Sequence, residues 1–191
     1  MNKKKGEAGY LSSKKKRTTL KVILEFGIVI ALLVLGIKET GDRLNLLTLV
    51  AVLGCLPASK ALVELIMVIP HRSIEENRAS EIQNKSSLLT HVYDVVLTSE
   101  HHIMPIDALV ISDNMICGYS SSKKIDLAFA TKHIKQMLGK DHFNHVSVKI
   151  FDNYTAFLTR AEGMHNIASV EKADTKEKEE KIKRLLLNIS L

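Results

Sequence analysis

Four groups of residues have types and spacings that could do chemistry. Asp107, in Pro105-Ile106-Asp107-Ala108-Leu109-Val110-Ile111, is a lone acid in a β-branched run, and its carboxylate could take a divalent cation. Ser120-Ser121-Ser122-Lys123-Lys124, after Gly118-Tyr119, sets hydroxyls and two ammoniums ahead of an apolar-periodic stretch. Helix N-termini attract anions, so Ser120, Ser122, Lys123 and Lys124 are candidates for a phosphoryl or anionic ligand. The run has a single Gly and no GK[ST], which is not P-loop spacing, and a Ser-rich turn with an N-cap is the plainer reading. Glu25, Lys60 and Glu64 lie within apolar runs, where charge is expensive and marks either an ion path or a packing pair. Glu100-His101-His102, with His91, His142 and His145, could assemble a metal site, but no HxH or HExxH occurs and exposed rings are expected.

Cys55 and Cys117 form no CxxC and read as reduced packing residues. With no Trp, four Tyr and five Phe, stacking platforms for single-stranded nucleic acid are scarce, and nucleic acid is not the expected partner.

These residues are positioned by two kinds of chain. The mean hydropathy of +0.05 averages an apolar stretch between Leu20 and Pro70 with an ordinary polar remainder. Residues 1–19 form a basic segment in which Lys3, Lys4, Lys5, Lys14, Lys15, Lys16 and Arg17 are opposed by Glu7 alone, within a net charge of +6. Such a flank attracts anionic headgroups at about 1 kcal/mol per basic residue. Residues 20–70 then read as a transmembrane helical hairpin, about 20–38 and 44–69. The core of the first run, Val22 to Ile37, spans about 24 Å at 1.5 Å per residue, and snorkelling ends extend it. No small-x-small cleavage site follows, so a signal peptide is disfavoured. Pro57 should kink or divide the second helix near Gly54. The hairpin loop holds only Lys38 and Arg43, so the bias places the N-terminus and C-terminal domain in the cytoplasm of a multi-pass plasma-membrane protein. Glu25 lies about 18 Å and Lys60 about 22 Å from the outer ends, which suits an interhelical pair, while Lys60 and Glu64 could pair at i, i+4.

Residues 71–170 read as a cytosolic α+β domain of order α-β-β-β-α-β-α with a mixed four-stranded sheet. A helix from Ile74 to Leu89 is capped by Ser73 with Glu76. β-Branched runs mark strands at 91–98, 106–111, 115–120 and 146–151. Ser122 caps a helix from Lys123 to Leu138, and Asp152 caps another through Ile167. Residues 171–191 are a charged helix ending in the patch Leu185-Leu186-Leu187.

This order is shared by the restriction-endonuclease-like fold, and Val92 to Ser122 resembles the nuclease-related (NERD) domain within it. Pro105 to Ser112 resembles the family's strand carrying a metal-binding Asp, which corresponds to Asp107, and Met115 to Tyr119 resembles the strand that follows. The family's second strand ends in Glu-x-Lys, where this chain has Gly118-Tyr119-Ser120-Ser121. The resemblance therefore implies a degenerate nuclease-like domain. As a whole, the chain resembles uncharacterised two-span membrane proteins of Gram-positive bacteria. The expected function is a membrane-anchored, non-enzymatic interaction module with a protein partner and no cofactor. Its alternatives are a Mg²⁺-dependent nuclease using Asp107 and a sensor of small phosphorylated or anionic ligands.

Overall fold

The computed structural model describes residues 3–41, 46–99, 102–171 and 175–191. It divides into two compact units, one of residues 11–72 and one joining residues 1–10 to 73–191. Arg43, Glu100 and His101, named above, lie outside the described residues.

The first unit is a pair of helices, α1 (Tyr10–Thr40) and α2 (Leu46–Val68). Both are long and apolar enough to cross a membrane, with mean hydropathies of 2.6 and 2.0 in their most apolar windows. The inward positions of α2 are Ala51, Ala58, Ala61, Leu65 and Val68, which with Gly54 recur every three or four residues. Those of α1 include Leu11, Thr18, Val29 and Gly36. Small residues along such a seam let two backbones approach. A Cβ on Gly54 would stand 3.2 Å from Val29 Cγ2. Pro57 does not divide α2: the helix runs through it unbroken, with the ring on the exposed side.

The charges pair otherwise than depth alone suggests. Glu25 meets Lys21 one turn back on its own helix at 3.7 Å, and Glu64 meets Lys14 of α1 at 3.6 Å. Lys15 Nζ donates to Ile69 O at 2.6 Å, so the start of α1 lies along the end of α2. No Glu25–Lys60 pair forms, because Glu25 is on the seam side of α1 while Lys60 is on the exposed side of α2. Comparable depth does not put two side chains on facing surfaces. One Glu25 oxygen, Oε2, is buried with no hydrogen-bond partner.

The second unit is α+β, with a mixed four-stranded sheet in the order β1 (Thr90–Ser99), β2 (His102–Ser112), β3 (Met115–Tyr119), β4 (Ser147–Phe151). The first three strands are an antiparallel meander, and β4 runs parallel to β3. The crossover between them is α4 (Leu127–Lys140), as parallel neighbours require. On one face α4 and α6 (Lys176–Asn188) bring Ala130, Ile134, Leu138, Ile182 and Leu186 onto Val92, Ile106, Leu109 and Val148. On the other, α3 (Glu76–Lys85) and α5 (Tyr154–Glu171) bring Ile82, Phe157, Ala161 and Met164 onto Tyr93, Val110 and Cys117.

Several boundaries differ from expectation. α3 starts at Glu76, not Ile74, and no side-chain cap bond forms at its N-cap, Glu75. α4 starts at Leu127 rather than Lys123, because Asp126, not Ser122, caps it by accepting from Phe129 N–H at 2.9 Å. β2 starts four residues early and carries Pro105, paired with Val96. The β2–β3 pairs begin only at Ala108, so the missing proline N–H falls outside that ladder. α6, read from the sequence as a separate charged helix, buries Ile182 and Leu186 completely. It also grips the Asp113-Asn114 turn, where Lys178 Nζ reaches Asp113 Oδ1 at 2.8 Å and Asn114 Oδ1 at 2.6 Å.

Candidate functional site

The acidic residue singled out from the sequence lies at a break in the sheet. On a regular strand, residues three apart face opposite sides. Here Val92 and Val95 of β1 both join the α4/α6 face, as do Ile106 and Leu109 of β2. The change of face falls at Asp94, whose φ of +55° is left-handed. Between the pairs Tyr93–Ala108 and Val95–Ile106, Asp94 stands opposite Asp107. Two carboxylates thus meet across the strands at the one place where both strands turn over.

They are used differently. Asp94 is buried, and its two oxygens accept main-chain N–H groups from distant segments. Oδ2 takes Gly9 N–H at 2.8 Å and Oδ1 takes Ile74 N–H at 2.9 Å. Gly9 is the residue before α1 and Ile74 lies six residues beyond α2, so one carboxylate holds the chain on both sides of the helical pair. Asp107 is half-buried, and its Oδ2 accepts Ser121 N–H at 2.6 Å. Burial raises the Asp107 carboxyl above the ordinary range; the Ser121 hydrogen bonds oppose this, the Asp94 charge adds to it and Arg78 subtracts.

Arg78 belongs to an aromatic cluster on the α3/α5 face. Its Nη1 donates to Tyr119 Oη at 3.3 Å and its guanidinium lies 5.0 Å from the Tyr154 ring centre. Tyr154 Oη donates to Glu81 Oε2 at 2.7 Å.

One step beyond the Ala108–Tyr119 pair, Asp107 faces Ser120, so the Ser-rich run begins beside the acid. That run is wired internally. Ser120 N–H donates to Phe151 O at 3.0 Å and its Oγ to Pro105 O at 2.6 Å. Ser122 N–H reaches Ser120 Oγ at 3.3 Å, and Lys124 N–H reaches Ser122 Oγ at 3.4 Å. With Ser121 N–H on Asp107, the main-chain N–H groups of Ser120, Ser121, Ser122 and Lys124 are all engaged, and the helix N-terminus lies further on at Leu127. A cavity of about 370 Å³ remains, bordered by Ser121, Ser122, Lys123 and Asp152.

The remaining candidates are dispersed. Among the described residues, no three His, Cys, Asp or Glu side chains stand close enough to share a metal ion. His102 lies against the Phe129 ring, 4.3 Å between centres. Burial pushes the Cys117 thiol up to about 12, which keeps it protonated and unreactive. Glu25, Lys60 and Glu64 are all in the helical pair, on α1 and α2.

Sequence reasoning missed Asp94. A lone Asp inside a β-branched run was the available signal, since Asp is depleted in strands and tolerates positive φ. Compared with known proteins, the chain matches no protein-family model, no curated protein and no solved structure.

Proposed function

We propose that the chain is a membrane-anchored interaction module, in which α1 and α2 cross the bilayer and hold the α+β domain at its cytoplasmic face. The observation that carries this reading is the pair of helices, both long and apolar enough to cross a membrane, which form a compact unit of their own. The Lys/Arg bias supports an N-terminus and domain in the cytoplasm of the plasma membrane. Lys16 and Arg17, both exposed at the start of α1, are the residues to meet anionic headgroups, since Lys14 and Lys15 are turned to Glu64 and Ile69. The exposed apolar sides of both helices, Ile23, Ile28, Leu53 and Leu56 among them, would face lipid.

The domain itself reads as a degenerate nuclease-like fold. Where an acid and a lysine would complete a metal site beside Asp107, the chain has Gly118-Tyr119-Ser120-Ser121, and Asp94 is committed to main-chain N–H groups. The test uses the full chain, in native membranes for crosslinking and in nanodiscs for cleavage. Photocrosslinkers at exposed domain positions should yield one discrete protein adduct in native membranes, lost when the domain is unfolded. Mg²⁺-dependent cleavage of DNA or RNA that disappears in Asp107→Ala would overturn the module reading in favour of an enzyme.

A further inference from the structure

Residues 3–9 do not trail from α1. They cross the domain as a strap along the open edge of β1, where Tyr93 N–H donates to Gly6 O at 2.8 Å. Gly6 has φ +91°, and a Cβ there would stand 3.0 Å from Leu187 Cδ2, so this close passage requires glycine. Further along the same edge, Leu191 N–H donates to Val96 O at 2.9 Å, and Lys5 Nζ reaches Ser190 O at 2.6 Å.

Between the strap, α3, β1 and α6 lies a concavity of about 850 Å³, within the range of small-molecule sites. Five lysines line it: Lys3, Lys4 and Lys5 from the strap, Lys176 and Lys183 from α6. Three glutamates answer them, and of these Glu76 pairs with Lys3 at 3.4 Å and Glu180 with Lys183 at 3.0 Å. Lys176 pairs with Glu179 at 3.1 Å and also donates to Leu88 O, Lys5 donates to Ser190 O, and Lys4 Nζ has no partner among the described residues. The residues that line it thus carry five ammoniums against three carboxylates, an excess that favours an anionic ligand.

The wall also has a ring-bearing part. His91 and Tyr93 stand on β1 with ring planes 1° apart and centres 6.0 Å apart, beside Leu89 and Ala79. Burial, with the Lys176 and Lys183 charges, pushes the His91 ring down to about 4, so at neutral pH it adds hydrogen-bonding capacity without charge. The Ser86 hydroxyl holds one of its nitrogens at 2.9 Å.

We infer that this concavity binds a small phosphorylated molecule, with the lysines taking the phosphoryl group and the His91–Tyr93 wall taking an apolar or ring-bearing part. Since the strap leads from Gly9 directly into α1 at Tyr10, occupancy would fasten the segment that joins the site to the helical pair. The inference needs neither a protein partner nor the nuclease-like reading.

The test is calorimetric titration of the full chain in zwitterionic nanodiscs at low salt, with pyrophosphate and ADP as probes. Saturable binding weakened by salt is expected, falling about tenfold or more in Lys4→Glu/Lys183→Glu and in the milder Lys4→Ala/Lys183→Ala. Lys123→Glu/Lys124→Glu, at the Ser-rich loop, should leave it unchanged. Absence of saturable binding by either probe overturns the inference. So does equal affinity in the folded Lys4/Lys183 variants, or loss of binding in the Lys123/Lys124 control. Repeating the titration in phosphatidylglycerol nanodiscs separates sources: retained binding supports a soluble ligand, and its abolition would assign the site to a lipid phosphate instead.

Discussion

In α2 the fully covered side chains are Ala51, Ala58, Ala61 and Val68, whereas in the domain they include Phe157, Ile134, Leu138 and Met164. The helical pair turns its bulk outward, with Leu49, Leu53, Leu56 and Ile66 more than half exposed, and keeps small residues in the seam. The domain does the reverse. In water the reverse is required, because burying large apolar groups drives folding. In lipid the outward Leu loses nothing, and close approach of backbones supplies the contact. The contrast extends to polar groups. The buried domain carboxylate of Glu179 is saturated: burial raises it, but hydrogen bonds from Thr90, Thr175, Lys176 and Asp113 N–H outweigh this and hold it below the usual range. In the helical pair Glu25 keeps an unpartnered oxygen.

Truncations in the two regions should therefore behave oppositely. Phe157→Ala is expected to cost about 3–5 kcal/mol, while Leu53→Ala in a reconstituted bilayer costs almost nothing; denaturant unfolding of the full chain reads both. A comparable loss at Leu53 would mean that its side is covered by protein. Next comes Asp94→Ala, which strands two main-chain N–H groups at about 1–3 kcal/mol each. Asp94→Asn should cost less, since its carbonyl still accepts and Asn tolerates positive φ. Hydrogen exchange at Gly9 and Ile74 is expected to rise in both variants. Ala58→Leu fills the seam rather than emptying a core, and about 1–3 kcal/mol of overpacking should appear in hairpin stability alone. A domain that destabilises equally would sink the distinction.

Stability should also depend on pH. Folding lowers His91 from its ordinary 6.5 to about 4, so between these values the unfolded chain binds the extra proton. The His91 contribution is complete above pH 6.5 and is lost as pH falls toward 4. His91→Gln should flatten that part of a stability–pH curve, and an unchanged slope would remove the positive wall from the explanation.

Strands were legible because β-branched runs at 91–98, 106–111, 115–120 and 146–151 have no helical alternative of adequate length, and all four form. The helical pair was legible from apolar length alone. The start of α4 was not, since Ser122 and Asp126 both precede the apolar face and only tertiary packing selects between caps. α6 could have been found: Glu179, Ile182 and Leu186 are spaced i, i+3, i+7, a buried stripe under a coat of Lys and Glu. Asp94 and the strap lay beyond local reasoning, because their partners stand 85 residues apart in sequence. Asp107 was located correctly on β2 as a residue, but its carboxylate is shared with Ser121 N–H, and no pattern of residue types announces that bond.

The topology of α1 and α2 can be measured directly. With Cys55 and Cys117 replaced, single cysteines at the exposed positions Glu39 and Lys132 report on the helical turn and the domain. An impermeant maleimide should label Glu39→Cys in intact cells and Lys132→Cys only after permeabilisation, with the chain resisting carbonate extraction. Labelling of Lys132→Cys from outside, or release of the chain by carbonate, would contradict a bilayer-spanning hairpin with a cytoplasmic domain.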